Sequence, residues 1–170
     1  VLVLYGDVPL TKFSTLSKLV QQASASTLCL LTLVTENPTG LGRIVRNNAG
    51  EITAIVEEKD ASEAQKQIKE INTGIMVIPA KKLNTWLNCL GNNNAQGEYY
   101  LTDVVAMAAA DDYCTISAMV IDDENEVEGV NDKAQLAGLE RQFQMNKAEQ
   151  LLKAGVLLRS KDRLKALERS

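Results

Sequence analysis

Apolar positions change their spacing several times along the chain, and each change predicts an element. Val1 to Leu4 is a short apolar run with the length of a buried parallel strand. Phe13, Leu16, Leu19, Val20 and Ala23 then recur at helical spacing, with Thr11 or Ser14 as a cap, and Ser24-Ala25-Ser26 breaks the pattern. Thr27 to Thr35 is almost continuously apolar and β-branched, which predicts a second central strand. Strand, helix and strand in this order suit a right-handed parallel crossover.

The next stretch reads as a hairpin. Asn37-Pro38-Thr39-Gly40-Leu41-Gly42 is a loop, and Arg43 to Arg46 and Glu51 to Glu57 flank the turn Asn47-Asn48-Ala49-Gly50. Glu58-Lys59-Asp60 reads as a charged surface corner, and Ala61 to Glu70 as a short polar helix. Ile71-Asn72-Thr73-Gly74 opens a strand over Ile75 to Ile78, ended by Pro79. Leu83, Trp86, Leu87 and Leu90 predict an amphipathic helix, and Gly91 to Gly97 a loop. Glu98 to Ala110 reads as a helix, Cys114 to Ile121 as a strand, and Asp122 to Glu128 as a solvated acidic turn. A long helix is expected from Asp132 to about Ala154, with Leu136, Leu139, Phe143, Ala148 and Leu151 on one side and Gly155 as its stop. No hexapeptide repeat of a β-helix occurs.

Composition narrows the chemistry. At 170 residues and a net charge of −4, the chain has material for one domain with a sizeable core. No basic stripe interleaved with aromatics points to nucleic acid, and no apolar run has the length of a bilayer span. Without histidine, His-dependent triads and imidazole acid/base catalysis are excluded for this chain acting alone. Cys29, Cys89 and Cys114 are widely spaced and read as reduced core residues of a cytoplasmic protein. The chain opens inside an apolar run without an initiator Met, which suggests the interior of a longer protein.

Candidate chemistry lies where polar residues end apolar strands, because open α/β sheets bind ligands there. Asp7 follows Gly6 after the first strand and can hold a divalent metal or cap the next helix. Gly42 permits close backbone approach to a ligand, or is a turn glycine. Glu57 can accept from sugar hydroxyls or be an exposed hairpin carboxylate, and Asn72 can bind a sugar or form an Asx turn. Asn131 can be a neutral oxygen ligand for Mg²⁺ or the N-cap of the long helix.

These residues sit in strings that occur in a fixed order. They are Leu4-Tyr5-Gly6-Asp7-Val8-Pro9-Leu10, Asn37 to Ile44 (NPTGLGRI), and Ile55 to Ala61 (IVEEKDA). They continue with Glu70 to Gly74 (EINTG), Asn92 to Asp103 (NNNAQGEYYLTD), and Glu126 to Asn131 (EVEGVN). From about Val1 to Leu158 the chain closely resembles the uridylyltransferase domain of the bacterial bifunctional UDP-N-acetylglucosamine pyrophosphorylase/glucosamine-1-phosphate N-acetyltransferases. The resemblance implies an α/β, partial Rossmann-like nucleotide-diphospho-sugar transferase fold: a mixed, mostly parallel sheet with flanking helices and a β-hairpin. It implies Mg²⁺-dependent formation of UDP-N-acetylglucosamine and pyrophosphate from UTP and N-acetylglucosamine 1-phosphate, in the cytoplasm.

Residue by residue, the resemblance implies that Asp7 and Asn131 hold Mg²⁺, with Tyr5 and Gly6 lining the pocket beside it. It puts Gly42, Glu57 and Asn72 against the sugar, and Tyr100 and Thr102 near the sugar phosphate. The sugar phosphate attacks the α-phosphorus of UTP in line, so positioning and charge neutralisation suffice without a protein nucleophile. Two departures accompany the match. The glycine-rich nucleotide loop and the uracil-reading segment expected upstream of Val1 are not in this sequence, so the isolated chain is expected to be weak or inactive. After Leu158 the sequence turns to a charged tail, Arg159 to Ser170, so the acetyltransferase activity and the trimer built on its β-helix are not carried over. A pyrophosphorylase for another sugar nucleotide, a non-catalytic sugar-nucleotide-binding fragment, and a purely structural α/β domain stay open at this point.

Overall fold

The computed structural model describes residues 1–158, which divide into two compact units. The first comprises Val1–Tyr5 and Lys12–Glu124; the second comprises Gly6–Thr11 and the chain from Asn125 onward. The charged tail lies outside the described residues.

The first unit is built on a six-stranded sheet. Its strands are β1 (Leu2–Val3), β2 (Thr27–Val34), β3 (Arg43–Arg46), β4 (Ile52–Val56), β5 (Glu70–Val77) and β6 (Thr115–Ile121). The order is β4-β3-β5-β2-β6, with β1 also paired to β5. Helices α1 (Phe13–Gln22), α2 (Glu63–Lys66), α3 (Ala80–Asn88) and α4 (Asp103–Ala109) flank it.

The expectation of a mostly parallel sheet is corrected: only β2 and β6 pair in parallel, and every other pair of neighbours is antiparallel. Val1 to Leu4 does not form a buried parallel strand either. Its ordered part is the two-residue β1, antiparallel to β5, and Val1, Leu2 and Leu4 are exposed. The reason is the course of β5, which runs against both β1 and β2 and separates them. Leu2 and Cys29 face the same residue, Val77, from its two sides. β2 nonetheless buries every residue from Leu28 to Leu33. A continuous apolar run reports burial on both faces of a strand, whichever way its neighbours run.

Successive side chains of β2 point to opposite faces. Leu28 and Leu30 join Ile44, Ile55, Met76, Ile78, Trp86, Val104 and Val105 in one apolar core, closed by α3 and α4. α1 packs on β2 and β5 and buries Leu19, while Phe13 at its first turn stays 84% exposed. Neither Thr11 nor Ser14 caps α1: Lys12 occupies the N-cap position, and its side chain makes no capping bond to the helix. The hairpin β3–β4 forms as the pattern predicts, closed by Asn47 and by Gly50 at positive φ. The polar helix shortens to α2, held by a reciprocal capping box between Ser62 and Gln65. Similarly, residues 98–102 stay outside α4.

Three cysteines divide differently from the expectation of a shared core position. Cys29 is buried, and burial pushes its thiol up; Cys114 is partly buried and Cys89 is exposed. All three are free thiols. In the second unit, α5 (Lys133–Lys153) buries Leu139 and Ala148, while Leu136 and Phe143 remain exposed. The acidic turn before it is a short 3₁₀ helix, Glu124–Val127, in which Glu126 is buried and not solvated. No helix among the described residues is long and apolar enough to cross a membrane.

Charged side chains tie the sheet ends. Arg46 at the end of β3 grips Glu70 at the start of β5 through two bonds, of 2.8 and 2.9 Å. Thr32 adds a third, of 3.0 Å. The Arg46 bond is the main cause holding the Glu70 carboxyl below its ordinary value of 4.5. A carboxyl whose folded value is depressed stabilises the fold above its unfolded value, and loses that contribution as pH falls through the folded value. Denaturant unfolding should therefore show stability falling below about pH 4.5. Glu70→Gln should cost roughly 1 kcal/mol near pH 7, discounted for the partial exposure of Arg46, and nothing once the wild-type carboxyl is protonated.

Candidate functional site

One end of the first unit collects most of the residues singled out in the sequence. The antiparallel register pairs Arg43 with Val56, and one step further it sets Gly42 opposite Glu57. Gly42 is buried. A Cβ on Gly42 would meet Ile55 Cγ2 at 3.0 Å and the two Glu57 carboxylate oxygens at 3.2 and 3.3 Å. Close approach to the carboxylate, not turn formation, is therefore what this glycine provides; the turn glycine of the loop is Gly40, at φ +82.

Glu57 is not an exposed hairpin carboxylate. It is half-buried, and Thr102 donates its hydroxyl to Oε1 at 2.9 Å. Thr102 stands at the N-cap position of α4 yet makes no capping bond, so its buried hydroxyl serves Glu57 instead. Among the described residues Glu57 Oε2 has no hydrogen-bond partner, and the carboxylate has one oxygen open to a ligand donor.

Asn72 adjoins this pair through the backbone, its N–H donating to the Gly42 carbonyl at 2.8 Å. Its side chain accepts from the Gly74 N–H at 3.1 Å, so the Asx turn forms. That turn does not precede the strand, as the sequence suggested, but lies inside β5. Between Leu30 and Thr32 the β2 register advances by two residues while β5 advances from Met76 to Asn72, so β5 bulges there. Thr73 stabilises the bulge by donating to the Leu31 carbonyl at 2.7 Å and accepting from the Ile75 N–H at 3.3 Å. Bulges of this kind re-aim side chains beside functional sites. The Asn72 side-chain NH₂ makes no hydrogen bond within the described residues.

Tyr5 lies across the bulge. Gly74 has φ +81, and a Cβ there would fall 1.7 Å from Tyr5 Cε2, so the ring occupies the space a side chain would fill. Beyond Glu57, a pocket of about 320 Å³ is lined by Glu57, Asp60, Asn93, Asn94, Tyr100 and Asp103. Its walls are latched together. Asp60 accepts from the Ala95 N–H at 2.8 Å, Lys59 donates to Gln96 at 2.6 Å, and Gln96 donates to the Tyr100 hydroxyl at 2.8 Å. The corner at Glu58-Lys59-Asp60 thus fastens the 91–98 loop and is not merely a surface feature. Burial, with the Asp60 carboxylate nearby, raises the Asp103 carboxyl above its ordinary value. Burial likewise pushes the Tyr100 phenol up.

The second unit holds Gly6, Asp7 and Asn131. The Asp7 carbonyl accepts from the Val130 N–H at 2.9 Å, so Asp7 lies one residue from Asn131 across a backbone bond. A Cβ on Gly129 would lie 3.7 Å from Asp7 Oδ2, in ordinary contact. Neither local alternative applies. Asp7 does not cap α1, and the cap of α5 is Asp132, whose Oδ1 accepts from Ala134 and Gln135, both at 2.8 Å. Both side chains are exposed and make no hydrogen bond within the described residues. Gly6 is exposed, with open space around it. No group of three Asp, Glu, Cys or His side chains able to hold a metal forms among the described residues.

Sequence reasoning gave no site role to Asp60, read as part of a charged corner, or to Asp103, Asn94 and Arg43. Asp103 ended the string that carried Tyr100 and Thr102, and Asp60 stood three residues after Glu57 in its string, so neighbouring positions were the available signal. For the bulge, Gly74→Ala should destabilise by roughly 1–3 kcal/mol, because an alanine is strained at this φ and evicts the Tyr5 ring. In a double-mutant cycle by chemical denaturation, Tyr5→Ala should recover the ring-clash part of that cost and leave the backbone part.

No protein-family model matches the chain. It is 54% identical over 165 residues to the bifunctional protein GlmU of Marinomonas sp. (strain MWYL1), covering 96% of this chain and 36% of that protein. To GlmU of Pseudomonas putida (strain GB-1) it is 55% identical over 159 residues, 94% of the chain and 35% of the relative. GlmU of Pseudomonas aeruginosa (strain LESB58) is 54% identical over 164 residues, 96% of the chain and 36% of the relative. The chain spans about a third of the length of these curated relatives. It is a homologue of bacterial bifunctional GlmU over that third.

Proposed function

We propose that this chain is the metal-holding and sugar-holding part of a UDP-N-acetylglucosamine pyrophosphorylase, which uses UTP and N-acetylglucosamine 1-phosphate. The observation that carries the reading is the Glu57 carboxylate, fixed by Thr102 and backed by the side-chain-free Gly42, with Asn72 bonded alongside. Homology to GlmU over nearly the whole chain supports the same reading.

Glu57 accepts from a sugar hydroxyl or amide through Oε2, and the Asn72 NH₂ donates to a sugar oxygen. The missing Cβ of Gly42 leaves room for the Glu57 carboxylate to stand against the backbone, where it faces the sugar. Tyr100 closes the far side of the pocket, and Thr102 acts by holding Glu57. Tyr5 braces the bulge that carries Asn72.

Asp7 and Asn131 are assigned to Mg²⁺. Their donor atoms fit a hard cation: a carboxylate and an amide carbonyl, exposed and uncommitted to capping, on segments joined by the Val130–Asp7 bond. When bound, Mg²⁺ neutralises phosphate charge and fixes the phosphates for displacement at the α-phosphorus. Asp7 and Asn131 would supply the oxygen ligands that this chain offers the ion. In the transfer, the sugar phosphate oxygen bonds to the α-phosphorus of UTP as the bond to pyrophosphate breaks. The residues of this chain position the groups and supply no nucleophile.

Calorimetric titration tests the assignment. UDP-N-acetylglucosamine should bind the chain one to one with Mg²⁺ present, and about tenfold more weakly with a chelator. Asp7→Ala should abolish the metal dependence without changing the unfolding midpoint. Equal binding of UDP-glucose would point to another sugar, and no binding of either nucleotide would contradict the reading.

A further inference from the structure

Arg43 opens β3 and is one of the largest fully buried side chains, with 1% of its surface exposed. One guanidinium nitrogen bonds the Leu41 carbonyl and another bonds the Glu58 carboxylate, while Nε is buried without a partner. Burying a charge with one donor unsatisfied costs stability that an apolar residue at a strand start would not. The position of the two acceptors shows what the arrangement accomplishes. Continued past Arg43 and Val56, the hairpin register sets Gly42 opposite Glu57 and then Leu41 opposite Glu58. The guanidinium therefore joins the two residues of the rung immediately beyond the Gly42–Glu57 contact.

We propose that Arg43 is a positioning residue that clamps the open end of the β3–β4 ladder and so fixes the Gly42 backbone against Glu57. The proposal rests on the assignment of Gly42 and Glu57 to the sugar. Arginine suits the task because its planar fork reaches two acceptors at once, whereas a lysine ammonium on its flexible stem does not hold that geometry. The Arg43 bond is also the main cause lowering the Glu58 carboxyl, which keeps that arm of the clamp ionised. A second link transmits the clamp's effect: the Gly42 carbonyl accepts the Asn72 N–H at 2.8 Å. Loosening residues 41 and 42 thus releases the amide of Asn72 as well as the wall behind Glu57.

Amide hydrogen exchange and nucleotide titration on the whole chain test this together. In Arg43→Met the Asn72 amide should exchange at least about tenfold faster, while the core amide of Leu30 stays within about twofold of wild type. UDP-N-acetylglucosamine affinity should fall about tenfold, with Arg43→Lys recovering part of both losses. Should Arg43→Met fail to fold, Glu58→Ala removes one arm at a partly exposed position and should still speed Asn72 exchange by about threefold or more. Unchanged Asn72 exchange in a folded variant would overturn the clamp. If the Asn72 amide opens but the wild type binds no sugar nucleotide, the sugar assignment fails and the clamp stands as a structural device alone.

Discussion

A single backbone hydrogen bond, from the Asn72 N–H to the Gly42 carbonyl, joins the two segments on which the proposed sugar-side residues depend. Gly42 ends a loop and faces Glu57 through the hairpin register; Asn72 belongs to a different strand. That bond follows from the register of β5 on β3: Arg43 pairs with Ile71, so the next antiparallel step sets Gly42 beside Asn72. The register of β5 against β3 therefore decides which of these polar residues meet.

Local backbone irregularity does the remaining alignment. The bulge at Asn72-Thr73-Gly74 takes β5 out of register with β2, and its polar groups are satisfied by the side chains of Asn72 and Thr73. The positive φ of Gly74 and the ring of Tyr5 occupy complementary space. Thr102 follows the same logic in a helix start, where its hydroxyl turns from the helix to Glu57. In each case a residue type with a familiar local role serves a longer-range contact, and an uncapped α4 N-terminus is a small cost against a fixed carboxylate.

The sequence made the elements legible where the apolar pattern was strong. β2, the β3–β4 hairpin, β6, α3 and α5 all lie close to their predicted positions. Strand direction was not legible. The run from Leu28 to Leu33 is buried on both faces in a mixed sheet, and such a run carries no record of which neighbour is antiparallel. The NTG string looked like a strand entrance because glycine and an Asx turn usually stand outside strands; here they form a bulge within one. The site residues were legible as polar positions at strand ends, but each had a commoner local explanation. For Gly42, Glu57 and Asn131 the structure removes that alternative: Gly40 makes the turn, Thr102 holds the carboxylate, and Asp132 caps α5. For Asn72 it keeps the Asx turn and adds the bond to Gly42. Arg43 and Asp103 escaped notice because their partners, Glu58 and Asp60, come close only in the folded chain.

The central claim is that Gly42, Glu57, Asn72 and Thr102 form one face that receives an N-acetylglucosamine phosphate. Amide chemical-shift mapping of the chain titrated with N-acetylglucosamine 1-phosphate tests it directly, since that ligand carries the sugar without the nucleotide. The account predicts saturable shifts concentrated at Gly42, Glu57, Asn72 and Thr102. Saturable shifts confined to other parts of the chain, or none at millimolar ligand, would contradict it.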